Sequence, residues 1–228
     1  MKNIIFIAPP AAGKGTVSMM LCDKYNIPHI STGDLLRDEI ARGSKVGTEI
    51  KSIISRGELV TDNIITKILA KRLSCKDAKK GYILDGYPRN VEQAKAYDKL
   101  LKELSYDMGK IIFLDISKDV ALKRMASRVI CPKCGSSYNL SVKELSPTCE
   151  NICDRCGSTL KAREDDNEIT FNKRFDTYIK ETYPLIEYYE KQGNLIKISV
   201  DNLSSEEVFK EVEKAIKWLL SKVIMNYF

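Results

Sequence analysis

A chain of 228 residues with 43% apolar and 30% charged residues has the makeup of a water-soluble globular protein, long enough for one large domain with insertions. No run approaches the ~20 apolar residues of a membrane span, and a lone Lys2 before an apolar run makes no signal-peptide pattern, so a cytoplasmic protein without membrane contact is expected. The net charge of +6 points to an anionic partner, nucleic acid or a small phosphorylated ligand, without separating the two.

In chain order, residues 2–7 (KNIIFI) are a short apolar run that predicts a buried strand. The loop IAPPAAGKGT (7–16) follows. Then KGTVSMMLCDKY (14–25) sets Val17, Met20, Leu21 and Tyr25 at helical spacing. Strand, glycine-bearing loop and helix in immediate succession form the context of a phosphate-binding loop. The one histidine, His29, reads as a strand-end or packing residue. Residues 31–60 predict two short helices and no strand. Further helical patterns cover 61–74, 90–104, 118–128, 167–191 and 204–222, and strands are predicted at 82–85, 110–116 and 195–200. Strands alternating with helices predict an α/β fold, a parallel sheet covered on both faces. Residues 31–60 and 129–163 interrupt the alternation and read as insertions at the ligand end of the sheet.

The loop departs from the pattern G-x-x-x-x-G-K-[ST]. Gly13 and Lys14 fit, Gly15 intervenes before Thr16, and Ala8 takes the place of the first glycine. Were Ala8 to need φ > 0, it would cost about 1–2 kcal/mol; with an ordinary φ it would cost little. Pro9 and Pro10 stiffen the loop. Its backbone N–H groups suit phosphate, Lys14 can reach the terminal phosphates, and Thr16 can sit near Mg²⁺.

Five of the seven cysteines fall between Cys131 and Cys156. CPKCG (131–135) and CDRCG (153–157) are near copies, each a C-x-x-C knuckle closed by glycine, and predict a structural Zn²⁺ on Cys131, Cys134, Cys153 and Cys156. Four thiolates leave no open position, so this zinc is not catalytic. Cys149 is the spare, and Cys22 and Cys75 read as packing residues.

Three further segments follow the loop in order: STGDLLR (31–37), LDGYPRNVEQA (84–94) and AREDDNEITFNKRF (162–175). Together, from residue 1 to about 220, they resemble the adenylate kinases, which interconvert ATP plus AMP with two ADP. The cysteine segment resembles the zinc-bearing lid of the family's long bacterial form. The resemblance implies a P-loop nucleoside-monophosphate-kinase-like fold with a five-stranded parallel sheet, helices on both faces and two inserted subdomains. The core would be 1–30, 61–128 and 164–228, with an AMP-binding insertion at 31–60 and a zinc lid at 129–163. It implies ATP, AMP and ADP as ligands, Mg²⁺ with ATP, a monomer, and no nucleic acid.

It also implies roles for residues. ATP falls to Ala11, Ala12, Gly13, Lys14, Gly15, Thr16, Arg124, Arg128, Ser137 and Tyr138. AMP falls to Thr32, Arg37, Glu58, Leu59, Val60, Gly86, Arg89, Gln93, Arg163 and Arg174. Thr16 and Asp85 hold Mg²⁺ through water. The catalytic set is Lys14, Arg89, Arg124, Arg128, Arg163 and Arg174. The residue types agree with these roles. Ser31 or Thr32 can cap an anion-favouring helix start, Arg89 offers a planar fork to phosphate, and the Gln93 amide donates and accepts at once, as an adenine edge requires. Arg124 and Arg128 are expected on one helix face at i, i+4. Asp165 and Asp166 are candidates to hold the lid arginines or the hinge. A phosphate acceptor is ionised at neutral pH, so the transfer needs positioning, Mg²⁺ and positive charge rather than a base.

Departures from the family are Ala8 and Ala11 for glycine, Asn139 after Tyr138 where histidine is frequent, and Asn202 where glycine is common. The apolar end VIMNYF (223–228) runs past the family's usual stop, to pack beside Trp218 or to make a contact. The rival readings are a related kinase with another acceptor or donor, a member that binds without turnover, and a zinc-ribbon nucleic-acid module. The last is disfavoured because residues 131–157 hold three Lys or Arg and one Tyr against three acidic residues.

Overall fold

The computed structural model describes residues 3–56, 58, 60–163 and 166–225, with the backbone course only from 217 onward. Leu59 and Asp165 lie outside the described residues, as do 226–228 and the side chain of Trp218.

Five parallel strands form the central sheet: β1 (Ile4–Ile7), β2 (His29–Ser31), β3 (Ile83–Asp85), β4 (Lys110–Asp115) and β7 (Leu195–Ser199). Their order is β2-β3-β1-β4-β7. The unbroken apolar runs of β1 and β4 divide by the two-residue period of a strand between two cores. Ile5, Ile7, Leu84, Ile111 and Phe113 face one side, against α4 (Asp62–Leu73), α5 (Val91–Leu104) and α8 (Pro184–Lys191). Ile4, Phe6, Ile83, Ile112 and Leu114 face the other, against α1 (Lys14–Tyr25), α6 (Lys118–Ala126) and α9 (Ser205–Met225). The expected five-stranded parallel sheet with helices on both faces is the observed one.

Three local expectations need correction. β2 is a strand that sequence patterning missed, because three residues with Ile30 as their one buried apolar side chain make no periodic signal. The predicted helix 118–128 stops at Ala126, and Arg128 opens β5 (Arg128–Ile130), paired with β6 (Ser137–Asn139) in an antiparallel hairpin. Arg124 and Arg128 therefore do not share a helix face; the β-branched Val129 and Ile130 favour the pleated strand. The long helix near 167–191 is α7 (Glu168–Thr177), a wide turn over Tyr178–Thr182, and α8. Pro184 has no N–H to continue the helical ladder, and the backbone widens so that Tyr183 N–H donates to Tyr178 O at 2.9 Å.

The segment between β2 and α4 holds α2 (Thr32–Ala41) and α3 (Lys45–Ser55), the two short helices expected there. Among the described residues of 129–163 the regular structure is the β5–β6 hairpin, one short helical turn and isolated bridges.

Candidate functional site

Strand order diverges at β1, with β3 and β2 on one side and β4 and β7 on the other, which opens a crevice at the carboxyl ends of the strands. Into it come the loop after β1, the β2–α2 junction and the turn after β3.

The loop after β1 has its left-handed residues at Ala11 (φ 60°) and Gly13 (φ 87°); Ala8 keeps an ordinary φ. The glycine missing at position 8 is thus conformationally harmless, and the strained alanine is Ala11, at about 1–2 kcal/mol. Gly13 caps α1 with no side-chain hydrogen bond, which leaves the first-turn N–H groups, those of Gly15 and Thr16 included, turned toward an anion. Lys14 folds back over the loop, its Nζ donating to Ala8 O at 3.3 Å and Pro9 O at 3.2 Å. Burial lowers its pKa to about 8, opposed by Asp85 and reinforced by the charges of Arg89, Arg174 and Arg128.

This makes a stability prediction. Unfolded Lys14 keeps its proton up to about pH 10.5, and the folded residue releases it above about 8. Below pH 8 the fold therefore carries a charge its site disfavours, and the cost fades as pH rises from 8 to 10.5. Allowing for partial solvent access, Lys14→Met should stabilise the nucleotide-free protein by roughly 1–3 kcal/mol at pH 7, with the gain shrinking by pH 10. Urea unfolding at the two pH values measures it; a destabilised variant would mean that the bonds to Ala8 and Pro9 outweigh the burial.

Ser31, not Thr32, caps α2: its Oγ accepts from Asp34 N. Thr32 is buried and donates from Oγ1 to Asp85 O at 3.2 Å. Gly86 has φ +83°, and a Cβ there would stand 2.7 Å from Thr32 Oγ1 and 3.2 Å from Arg89 Nη2. Glycine is what lets Thr32 and Arg89 converge. Arg89 Nε donates to Gly86 O at 2.8 Å, and Thr182 Oγ1 holds Arg89 O at 2.7 Å. Burial lowers the Arg89 pKa, and the charges of Arg37 and Arg163 add to the effect while Asp85 opposes it. Arg37 also pairs with Asp34. Burial alone would raise the Asp85 carboxyl, but the adjoining His29 ring, Lys14 and Arg89 hold it below the ordinary range. The charges of Arg128 and Arg174 are felt at Lys14 and that of Arg163 at Arg89, so these arginines lie around the buried group of Lys14, Asp85 and Arg89.

Other expected residues lie differently. Arg128, besides being felt at Lys14, is paired with Asp166 through two hydrogen bonds, one of 2.7 Å, which holds the arginine that opens β5. Arg124 donates to Val200 O at 2.8 Å and Leu203 O at 3.2 Å, apart from the Lys14 group. The Glu58 carboxylate is taken up by Arg56, and Val60 is buried in the core. Ser137 is half-buried in β6, opposite Ile130. Sequence reasoning missed His29, whose buried Nε2 lies 3.7 Å from Asp85 Oδ2, and Asp62, which binds the Gln93 side chain. A lone histidine on an apolar stretch and an acid opening a helix carry no signal of either contact.

The four cysteines of the two knuckles bring their sulfurs within 4.8 Å of one another. Sγ–Sγ distances are 3.4 Å for Cys131–Cys156 and 3.5 Å for Cys134–Cys153, near the ~3.8 Å edge of a tetrahedral thiolate zinc site with Zn–S of ~2.3 Å. The knuckles repeat one pattern: Gly135 N donates to Cys131 O at 3.0 Å, and Gly157 N to Cys153 O at 2.8 Å. The Tyr138 hydroxyl accepts from Asp154 N at 2.9 Å and lies 3.3 Å from Cys153 Sγ, which it pulls down to about 6. Donor set and spacing fit zinc. Asn139, in place of histidine, tethers the β5–β6 hairpin to α6 by donating from Nδ2 to Arg124 O at 3.0 Å.

A family model for adenylate kinase matches residues 6–194. An adenylate kinase of Thermosipho melanesiensis is 45% identical over 215 residues, 94% of this chain and 99% of the relative. One of Thermodesulfovibrio yellowstonii is 44% identical over 211 residues, 92% and 96% of the two chains. One of Methanocella arvoryzae is 39% identical over 217 residues, 95% and 99%.

Proposed function

We propose how this chain, which belongs to the adenylate kinase family and has its phosphotransferase activity, divides the reaction ATP + AMP = 2 ADP among its residues. The donor phosphates lie along Ala11–Thr16 at the start of α1, with Lys14 on the terminal groups. AMP lies between Thr32, Arg37, the backbone of 58–60, Gly86, Arg89 and Gln93. Arg128, Arg163 and Arg174 neutralise the moving phosphoryl group, and Arg124, Ser137 and Tyr138 border ATP from the lid side. An AMP phosphate oxygen attacks the γ-phosphorus while the bond from γ-phosphorus to the β-bridging oxygen breaks, so no proton transfer is needed.

The observation that carries the reading is the convergence of buried cations in one crevice: burial lowers the pKa of both Lys14 and Arg89, and the charges of Arg89, Arg174 and Arg128 add to the effect at Lys14, those of Arg37 and Arg163 at Arg89. Such a cluster is costly without a polyanion and apt with one. Asp85 fits a Mg²⁺ site: it is held ionised, and Lys14 spends its hydrogen bonds on carbonyls of the loop. Asp85 and the Thr16 hydroxyl would hold the ion through water; when bound, it shields the phosphate charge. We place the protein in the cytoplasm, a reading supported by four cysteines grouped as metal ligands; a monomer without nucleic-acid or membrane partners is what the family resemblance implies.

The test is ³¹P NMR of zinc-loaded protein with Mg·ATP and, separately, AMP, UMP, CMP and GMP. ADP formed only with AMP is expected. Turnover with another acceptor would move the substrate, and none in any tube would overturn the reading.

A further inference from the structure

The side-chain amide of Gln93 is buried and held at both ends. Its Oε1 accepts the backbone N–H of Arg89 at 2.7 Å, and its Nε2 donates to Asp62 Oδ1 at 2.7 Å. A backbone N–H only donates and a carboxylate only accepts. A glutamine amide is nearly symmetric in shape, so its partners decide which end is the oxygen. Turned over, this one would set its NH₂ against the Arg89 N–H and its oxygen against the carboxylate. Two bonds would be replaced by two contacts of like polarity.

Asp62 is itself well placed. It is the first residue of α4 and follows Val60 by two positions. It also faces Asn90 Nδ2 at 3.4 Å, while Asn90 Oδ1 caps α5 by accepting from Gln93 N at 2.7 Å. One carboxylate on α4 thus polarises two amides at the start of α5.

These two bonds use half of what the Gln93 amide offers. One N–H and one oxygen lone pair are left, in a fixed order. Adenine presents an amino donor beside a ring-nitrogen acceptor; hypoxanthine presents a carbonyl acceptor beside an N–H donor, the reverse polarity on the same outline. A freely turning amide would serve both. We propose that Asp62 is a positioning residue that sets base specificity: with the Arg89 backbone N–H, it fixes the polarity of the Gln93 amide and so makes the acceptor site take a 6-amino-purine and refuse a 6-oxo-purine. The inference rests on the placement of Gln93 at the AMP base given above.

The experiment is kcat/KM for AMP and for IMP, with Mg·ATP, in the unaltered protein and in Asp62→Asn, Asp62→Ala and Gln93→Leu, with a melting curve for each. Asn keeps the shape of the side chain and Ala removes it, so at least one folded variant is secured. The preference for AMP over IMP should fall roughly 10–100-fold in the Asp62 variants, the scale set by one charge-assisted bond. An acid that merely joins α4 to α5 would lower the melting temperature and leave the preference unchanged, and that result overturns the proposal. Gln93→Leu separates the two levels. If it leaves the preference unchanged, the placement of Gln93 fails and the proposal with it. If it collapses the preference while both Asp62 variants keep it, only the role of Asp62 fails.

Discussion

Arg89→Ala is expected to lower turnover by about 10²–10⁴-fold, the range for groups that stabilise charge in a phosphoryl-transfer transition state. Arg89 extends from the turn after β3, and its Nε is fixed on Gly86 O, which aims the guanidinium into the crevice. Burial and the charges of Arg37 and Arg163 lower the pKa of that guanidinium, with Asp85 opposing, so a bound anion meets a charge that the fold only partly compensates. Removing it should not unfold the protein. Alanine loses the Nε bond to Gly86 O but keeps the two main-chain contacts that hold the local chain, Arg89 N to Gln93 and Arg89 O from Thr182. The melting temperature should therefore stay level or rise while kcat collapses. Arg89→Lys should recover little, because an ammonium lacks the planar fork. Steady-state kinetics with a melting curve on the same preparations decides it: kcat within a few-fold of the unaltered protein, or a loss matched by unfolding, would remove Arg89 from the chemistry.

What was legible in the sequence follows from how local each signal is. β1, β4 and the helices α1, α4, α5 and α9 announce themselves, because burial on both faces writes long apolar runs and helical packing writes its spacing. β2 does not; its three residues are a strand only because β3 lies beside them, with Ile30 opposite Leu84. The end of α6 depends on Arg128 pairing with Asn139 across the lid hairpin, a partner eleven residues on. In the site, the motif residues around Lys14, Asp85 and Arg89 were readable as types and spacings. Their couplings were not. Arg128 with Asp166 spans 38 positions and Gln93 with Asp62 spans 31, and no pattern links them. The loop shows the same limit in the other direction. Ala8 and Ala11 both stand where the family has glycine, yet only Ala11 takes a left-handed φ, because φ is a property of the fold around the residue.

Arg128 and Asp166 also show how the lid is tied to the core. Asp166 has a side chain 4% exposed, so its carboxylate depends on the arginine it holds. With the Asn139 tether to α6, this connection sits at the base of the lid, while Arg155 in the second knuckle reaches Asp23 of α1 at 3.5 Å from the far side. The lid is anchored by polar contacts at its rim and needs something else to hold its interior.

On the proposed zinc site a metal would supply that interior, and its removal is expected to unfold residues 129–163 while the five-stranded core persists. The lid's buried cluster is Cys131, Cys153 and Leu160, with Val129, Cys134, Tyr138 and Cys156 partly buried against it. One fully buried aliphatic side chain cannot offset the ordering of some thirty residues, at about 1–2 kcal/mol each. Structural zinc in small domains contributes roughly 10–16 kcal/mol of binding free energy, which here goes into folding. Without it, four sulfurs within 4.8 Å of one another lose their common partner. Chelation should lower the melting temperature by on the order of 10 °C or split off an early transition. Far-UV dichroism should change little, because the lid's strands are three residues each. On the proposed assignment ATP should be affected more than AMP, since Ser137 and Tyr138 lie on β6, whereas of the proposed AMP residues Arg163 alone falls within 129–163. Calorimetry before and after chelation, with metal loss confirmed by atomic emission, is the measurement. Superimposable curves would show that the cysteines hold the lid without a metal.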